Sequence, residues 1–312
     1  MLTPLAWLNQ IPPSTRGAVL LVTGISVFGM SDNLTLLVSD DVGVGQFHFS
    51  RSLISIVMVI MLGRLFGMAV IPKNWKPVLA RTLFIVVSML LYFGVLPMMP
   101  IAEAGAGLFT SPIFVLLFSA LFYGESIGWR RIAAVVIGSI GVLMVLQPGG
   151  DGFTVYNLLA VLAGASYAMG SIITFRYCQD ESSLAILMSF LVAIGLCGAL
   201  ATTGLTGFPV PAEWLAQAPC LFKSWQGVGT TFWLWMVVIA AGASIALSLM
   251  TRAYQLTLTS YAAIYEYAYV ISAGLFGWLF WGTVPGVMSA IGIMLIIGAG
   301  VIIVLAQRAQ GD

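Results

Sequence analysis

Charged residues are scarce in this 312-residue chain, and their scarcity indicates which solvent surrounds the protein. Only 7% of the residues are charged, whereas 60% are hydrophobic and the mean hydropathy is +1.06. A soluble domain carries about 25% charged residues, because water must solvate its surface. The composition therefore predicts an integral membrane protein.

Basic clusters, histidines and cysteine pairs are also lacking, and each lack argues against a class of function. The formal net charge is +1 without a basic run, so there is little for a nucleic-acid backbone to bind. The single histidine, His48, has no second imidazole for a metal site, and Cys178, Cys197 and Cys220 form neither a disulfide framework nor a metal-binding spacing. Walker and G-x-S-x-G motifs are absent. We therefore expect no cofactor, no metal and no enzymatic activity.

Ten apolar runs are long enough to cross a bilayer, since a spanning helix needs about 20 residues. The first run carries Asp32 and Asn33 and has no clean cleavage site, so we expect a permanent helix there rather than a signal peptide. Turn-forming residues separate the runs at 40–43, 97–100, 148–152 and 207–231. The predicted fold is all-α, with spans at 17–38, 44–65, 77–96, 101–122, 129–146, 155–177, 184–206, 232–254, 257–281 and 285–307.

The distribution of lysine and arginine predicts the orientation of these ten spans. Ten of the twelve basic residues fall on one side of the membrane, Lys223 falls on the other, and Arg51 lies within the second span. Cytoplasmic loops are enriched in lysine and arginine. Both termini are therefore predicted to be cytoplasmic.

The chain also resembles a duplication, because Ala102 to Gly124 aligns without gaps to Ser260 to Gly282. Each copy is followed by a helix with a Gly-Val pair, at 141–142 and at 300–301. Five helices per copy is an odd number, so the second copy must enter the membrane inverted. We therefore predict two inverted five-helix repeats, 1–148 and 149–312, of the kind that transporters use to alternate access to a central site.

At these motifs the sequence resembles the drug/metabolite transporter superfamily, in its ten-helix EamA-like branch. The resemblance is strongest from Pro100 through Ser111-Pro112 to Gly124-Glu125, then at Trp129-Arg130-Arg131 and at 141–146. It implies a cavity near a pseudo-twofold axis, lined chiefly by helices one to four and six to nine, with helices five and ten packed behind. The second copy departs from the pattern, with Thr283 in place of a usual glutamate and Val270 opposite Pro112.

Asp32 and Arg51 are the first candidate site residues, because ionisable groups within a membrane are costly and usually functional. Both are predicted to lie at similar depth on neighbouring antiparallel helices, which favours pairing. With Asn33 and His48, the pair would bind a charged group of a substrate or a proton. A static ion pair that joins two helices is the alternative.

Glu266 is the second candidate, within a tyrosine-rich stretch of the ninth span. Helical spacing places Tyr265, Glu266 and Tyr269 on one broad face. The carboxylate would receive an ammonium group, assisted by cation–π contacts, or accept a proton. A glutamate that merely bonds to a neighbouring helix is the alternative.

Several further residues are candidates on weaker grounds. Pro112 would interrupt the fourth span and act as a hinge, with Thr110 and Ser111 repairing the lost hydrogen bond. Arg81 lies near a helix end, where snorkelling to lipid headgroups is the usual explanation. Packing or a homodimer contact would explain the small pair Ala134 and Gly138. Aromatic residues that could line the cavity are Tyr92, Phe109, Tyr167 and Trp235.

These patterns predict a secondary active transporter that works by alternating access, most simply an exporter of amino acids or related zwitterions. The alternatives are a carrier for a bulkier cationic metabolite, such as an S-adenosylmethionine-like compound or a drug-like amine, and a channel-like facilitator. The expected partners are a small-molecule substrate and the lipid bilayer, with proton coupling as a further role of Glu266. The expected location is a bacterial inner membrane.

Overall fold

The computed structural model describes residues 12–95, 101–147, 155–282, 284 and 286–309, and these residues form helices joined by turns. The predicted turns at 97–100 and 148–152, the boundary between the predicted repeats and Thr283 lie outside the described residues. In chain order the helices are α1 (Pro13–Thr35), α2 (Val44–Phe66), α3 (Trp75–Val95), α4 (Ile101–Leu108), α5 (Ser111–Tyr123), α6 (Trp129–Leu146), α7 (Val155–Tyr177), α8 (Ser183–Gly207), α9 (Ala212–Gln217), α10 (Pro219–Phe222), α11 (Thr230–Leu256), α12 (Thr259–Tyr265), α13 (Ala268–Trp281) and α14 (Val287–Ala309).

Ten helical stretches in the described part of the chain are long and apolar enough to span a membrane, which confirms the predicted all-α fold with ten spans, while the inverted repeats and the orientation of the termini stay predictions. Eight are single helices, the fourth combines α4 with α5, and the ninth combines α12 with α13. The fifth span begins and ends at the predicted residues, Trp129 and Leu146. The stretch 207–231, for which the sequence predicts a turn-rich connection, contains two short helices, α9 and α10.

The helices pack in pairs that follow a regular scheme. The most extensive pairs are α1 with α11, α3 with α7, α2 with α8 and α6 with α14, while α1 also packs on α13, and α4 and α5 pack on α7. Moving every span five places along the ten converts each pair either into itself, as for α2 with α8 and α6 with α14, or into another member of this set. A duplicated chain would pack in this way, whereas the orientation of the two halves in the membrane stays a prediction.

The fourth and ninth spans are both interrupted, at positions that differ by one residue in the aligned segments. The fourth breaks at Phe109 and Thr110, where the Thr110 amide bonds to the carbonyl of Gly107 and the Thr110 hydroxyl donates to the same oxygen at 2.6 Å. Pro112 then lies in the first turn of α5, where a missing N–H is tolerated. The ninth breaks at Glu266 and Tyr267, although no proline is present. Proline therefore accounts for only one of the two interruptions.

Tyr267 anchors the second interruption to the pair of helices α6 and α14. Its side chain is fully buried, and its hydroxyl lies 2.9 Å from the Ser139 hydroxyl of α6. The ring packs against Gly138, where a Cβ atom would come within 2.3 Å of a ring carbon. A homodimer contact was the alternative explanation for the small residue at 138. In the structure, Gly138 contacts the aromatic ring of Tyr267 from the same chain.

Replacing Gly138 by alanine should destabilise the protein, because the added methyl group collides with the Tyr267 ring in a close-packed interior. We expect the melting temperature of the purified protein in detergent to fall by about 5 °C. Gly298→Ala is the matched control, since nothing lies within 4 Å of a Cβ atom at Gly298 and alanine favours a helix. Equal melting temperatures for the two variants would contradict the proposed anchoring.

Candidate functional site

A cavity of about 230 Å³ lies between the helices and collects most of the ionisable groups buried within the spans. Its walls come from α1, α2, α3, α4, α5, α7, α8, α11 and α13, together with Glu266 at the break before α13. Among the described residues, α6 and α14 contribute nothing to the lining. This is the arrangement that the family resemblance implies, in which the fifth and tenth spans support the others from behind.

One end of the cavity, which we call the Asp32 end, is formed by Asp32, Arg51, His48, Tyr92 and Tyr269. The Tyr269 hydroxyl donates to Asp32 Oδ2 at 2.7 Å, which links α13 to α1. The Tyr269 ring packs against aromatic rings on both sides, with centroid distances of 6.1 Å to Phe28 and 5.8 Å to Phe109. The carboxylate is therefore held by a hydroxyl and flanked by apolar rings.

Arg51 lies at the same end, with 8% of its surface exposed. Its Nη2 atom lies 3.3 Å from His48 Nδ1, and its guanidinium carbon lies 5.4 Å from the centroid of Phe47. Since Arg51 can only donate, Nδ1 accepts and the proton of a neutral imidazole resides on Nε2. Among the described residues, Nε2 is buried without a hydrogen-bond partner.

Asp32 and Arg51 share the cavity without forming a direct ion pair, because no nitrogen of Arg51 lies within 4 Å of an Asp32 oxygen in the described structure. They are close enough to interact electrostatically. The alternative of a static ion pair joining two helices is therefore disfavoured. Both charges instead face a space that a ligand can enter.

A second group of lining residues, which we call the Glu266 end, is formed by Glu266, Arg81, Tyr167, Thr174 and Tyr254. The Tyr167 hydroxyl of α7 donates to Glu266 Oε1 at 2.6 Å. The Tyr254 hydroxyl of α11 is close to the same carboxylate, but has no hydrogen bond of good geometry among the described residues. Phenolic donors from two other helices thus surround a buried acid at a helix break.

Arg81 belongs to this end, although its sequence position suggested snorkelling to lipid headgroups. Its Nε atom donates to the Thr174 hydroxyl at 3.3 Å, and Thr174 donates in turn to the carbonyl of Gly170 at 2.8 Å. The buried Nη1 atom has no hydrogen-bond partner among the described residues. Arg81, six positions after the start of α3 at Trp75, thus lines the cavity. Snorkelling is therefore the wrong explanation for Arg81.

A carboxylate outside the spans holds the start of α3 in place. Glu181, in the turn between α7 and α8, accepts the backbone amides of Lys73 and Asn74 at 2.9 and 2.6 Å. Gln255, at the end of α11, donates to the carbonyls of Cys178 and Glu181 at 2.6 and 2.8 Å. These bonds fix the first turn of α3, and with it Arg81, against the helices that carry Tyr167 and Tyr254.

Three predicted site residues lie away from the cavity. The Asn33 side chain donates to the carbonyls of Gly29 and Ala273 at 2.9 and 3.0 Å and so joins α1 to α13. Tyr265 is buried in the apolar cluster around α6 and α14, and Trp235 faces outward with 36% of its surface exposed. The other eight predicted binding residues line the cavity: Asp32, His48, Arg51, Tyr92, Phe109, Tyr167, Glu266 and Tyr269.

The chemistry of the cavity is that of a site for a small dipolar molecule. Among the described residues, two carboxylates and two guanidinium groups give the lining no net formal charge, and aromatic and aliphatic side chains also line it. Electrostatic attraction is strong in such surroundings because little water screens it. At each end, the carboxylate can bind an ammonium group and the guanidinium group can bind a carboxylate.

Comparison with known proteins places the chain among transporters. Residues 15–147 match the model of the EamA-like transporter family. The pseudopaline exporter of Pseudomonas aeruginosa is 25% identical over 298 residues, which cover 95% of this chain and 97% of the relative. An S-adenosylmethionine uptake transporter of Rickettsia bellii is 25% identical over 281 residues, covering 88% and 86%. A riboflavin transporter of Brucella anthropi is 29% identical over 200 residues, covering 64% and 66%.

A solved crystal structure of a protein superposes on 96% of the chain with a TM-score of 0.79 and 19% sequence identity, and the match covers all of that structure. At this identity the likeness concerns the fold alone. It shows that the arrangement of ten spanning helices recurs in an experimental structure.

A cysteine at Ser171, which lines the cavity, should react with a small water-soluble thiol reagent far faster than a cysteine at Ser88. Ser88 is the matched control because it is equally buried but lies outside the lining. Cys197 and Cys220 are first replaced by serine. Cys178 can remain, since burial raises the pKa of its thiol to about 11 and leaves little reactive thiolate. Equal labelling rates for the two introduced cysteines, measured by mass spectrometry, would contradict the position of the cavity.

Proposed function

Since the chain belongs to the EamA-like branch of the drug/metabolite transporter superfamily, we propose that it is a secondary active carrier of small zwitterionic metabolites. The observation that supports this proposal most directly is the pairing of an acid and a base at each end of one buried cavity. Amino acids and related compounds carry the complementary ammonium and carboxylate groups. Export of such compounds is the activity that we propose.

Glu266 is the proposed receptor for the ammonium group. Its carboxylate is buried, accepts a hydrogen bond from Tyr167 and lies beside the Tyr254 ring, so charge and cation–π attraction act together. No nitrogen of Arg81 lies within 4 Å of a Glu266 oxygen in the described structure, which leaves the carboxylate accessible to a ligand. The same carboxylate can accept a proton when no substrate is bound.

Alternating access follows, in this proposal, from the two interrupted spans. Breaks at residues 109–110 and 266–267 give the fourth and ninth spans segments that can rotate separately. If the two halves are inverted repeats, bending one span opens the cavity to one side of the membrane and bending the other opens it to the opposite side. Both termini would lie in the cytoplasm of a bacterial cell.

A bulkier cationic metabolite is the second candidate substrate, and the aromatic lining supports it. Five aromatic side chains line the cavity: Phe28, Tyr92, Phe93, Phe109 and Tyr269. A small aliphatic amino acid does not require so many aromatic contacts. Planar aromatic rings can stack there, and a sulfonium or amine can contact their faces. Relatives named for S-adenosylmethionine and riboflavin indicate that this fold accepts compounds of that size.

Replacing Glu266 by glutamine should reduce transport about tenfold or more, because the amide keeps the shape of the side chain but cannot attract an ammonium group or accept a proton. Uptake of radiolabelled amino acids and related metabolites into proteoliposomes, with and without a pH gradient, measures the effect. Glu213→Gln is the matched control, since Glu213 is exposed on α9.

Counterflow in the same vesicles separates a carrier from a channel-like facilitator. A carrier should show saturable exchange of labelled for unlabelled substrate, whereas a facilitator should show none. Normal, pH-dependent transport by the Glu266 variant would remove this residue from the proposed mechanism. Absence of counterflow alongside rapid uptake would overturn the proposal of a carrier.

A further inference from the structure

The two ends of the cavity carry the same set of polar groups, and an amino acid with one amino-carboxylate group can bind to only one of these sets. Each end carries a carboxylate, a guanidinium group and one buried nitrogen without a hydrogen-bond partner among the described residues. These nitrogens are His48 Nε2 at the Asp32 end and Arg81 Nη1 at the Glu266 end. A buried donor without an acceptor costs free energy, so both positions favour a ligand oxygen.

Arg81 is held in a geometry suited to a carboxylate. Its Nε atom donates a hydrogen bond to the Thr174 hydroxyl. Its buried Nη1 atom has no acceptor among the described residues, and the residue lines the cavity. A guanidinium group binds carboxylates and phosphates through parallel N–H groups. Glu266 lies at the same end, and its negative charge would repel a doubly charged phosphate. A singly charged carboxylate is therefore the better match.

The two ends are far enough apart for one extended molecule. Arg51 lies seven residues after the start of α2, and Arg81 lies six residues after the start of α3, which enters from the opposite side. With roughly 1.5 Å of rise per residue and helices about 30 Å long, the Cα atoms of the two arginines differ in depth by about 10 Å. This length corresponds to an extended chain of about eight bonds, by roughly 1.3 Å per bond.

We propose that the preferred substrate carries an amino-carboxylate group at both ends, with the Asp32 end binding one group and the Glu266 end binding the other. This inference rests on the proposed function and deepens it. Asp32 and Glu266 receive the two ammonium groups, while Arg51 with His48, and Arg81, receive the two carboxylates. The apolar rings between the ends contact the connecting chain.

Selectivity against ordinary amino acids follows from the unpaired groups that they leave behind. A molecule with one amino-carboxylate group satisfies one end and leaves the guanidinium group and the buried donor of the other end without partners. The carboxylate of that end is also left unpaired unless the molecule has a second ammonium group, as lysine does. Sites built to hydrogen-bond a substrate reject analogues that lack the bonding group, because the site's own polar groups then stay unpaired. The two-ended molecule satisfies both ends at once.

Two matched pairs of compounds test the proposal. Diaminopimelate is lysine with a second carboxylate, and cystathionine is ethionine with a second amino-carboxylate group. Their affinities are measured by competition with radiolabelled cystathionine and, independently, by counterflow of each labelled compound in proteoliposomes. We expect each two-ended compound to bind at least about tenfold more tightly than its single-ended partner.

Arg81→Gln should reduce this preference to about threefold or less, because the amide cannot form the charged, parallel hydrogen bonds. Arg81→Lys should restore part of the preference, since it keeps the charge but not the planar geometry. Arg64→Gln is the control, because Arg64 is exposed at the end of α2. The melting temperature of each variant verifies that it is folded.

The outcomes separate this inference from the function on which it rests. Counterflow of lysine or ethionine without any preference for the two-ended compounds would overturn the inference and leave the zwitterion carrier standing. An unchanged preference in the Arg81→Gln variant would overturn the assignment of Arg81 to the second carboxylate. Failure of all four compounds to exchange, in folded protein, would count against both proposals.

Discussion

Charged side chains inside a lipid-embedded bundle are the constraint on which the rest of this structure depends. An unpaired charge in a medium of low dielectric is costly, so each one needs polar groups around it. Here those groups come from other helices, since Tyr269 of α13 reaches Asp32 of α1 and Tyr167 of α7 reaches Glu266. The polar contacts therefore fix how helices distant in sequence are placed around the cavity. They also explain why the space remains open, because the charges cannot pack against one another without losing these contacts.

Helices α6 and α14 provide the fixed surface against which this arrangement is built. They approach so closely that a Cβ atom on Gly141 would come within 2.7 Å of the Gly292 carbonyl. Tyr267 inserts beside Gly138 of the same pair, directly after Glu266 in the chain. The residue that interrupts the ninth span is thus anchored to the scaffold, while its neighbour faces the cavity. In the proposed mechanism, the segment that moves, α13, therefore begins directly beside a residue that is held against α6.

The sequence predicted the spans well because about 20 consecutive apolar residues have few other uses. It also identified Asp32, Arg51 and Glu266, since charges within a span are costly and conspicuous. It could not sort aromatic residues by position, and Trp235 faces outward, because a helix apolar on all sides does not reveal which face meets the cavity. The position of Arg81 near a helix end suggested snorkelling, because distance from a helix end does not show whether the side chain faces lipid headgroups or a cavity. The break beside Glu266 carries no proline, so no residue marks it in the sequence, and the structure shows that Tyr267 at this break packs against Gly138.

Competition for the carboxylate of Glu266 connects the proposed substrate with the proposed driving force. The described residues that line the cavity carry no net formal charge, and a ligand with two amino-carboxylate ends adds none. Loading the carrier therefore does not increase the charge that must cross the bilayer. A proton on Glu266 would neutralise the group that attracts the ammonium, so proton and substrate cannot use it together. Mutually exclusive binding at a single site forces exchange, since each passage of the cavity carries one or the other. Under the proposed mechanism, a proton entering the cell on Glu266 thus returns the carrier for another molecule of exported substrate.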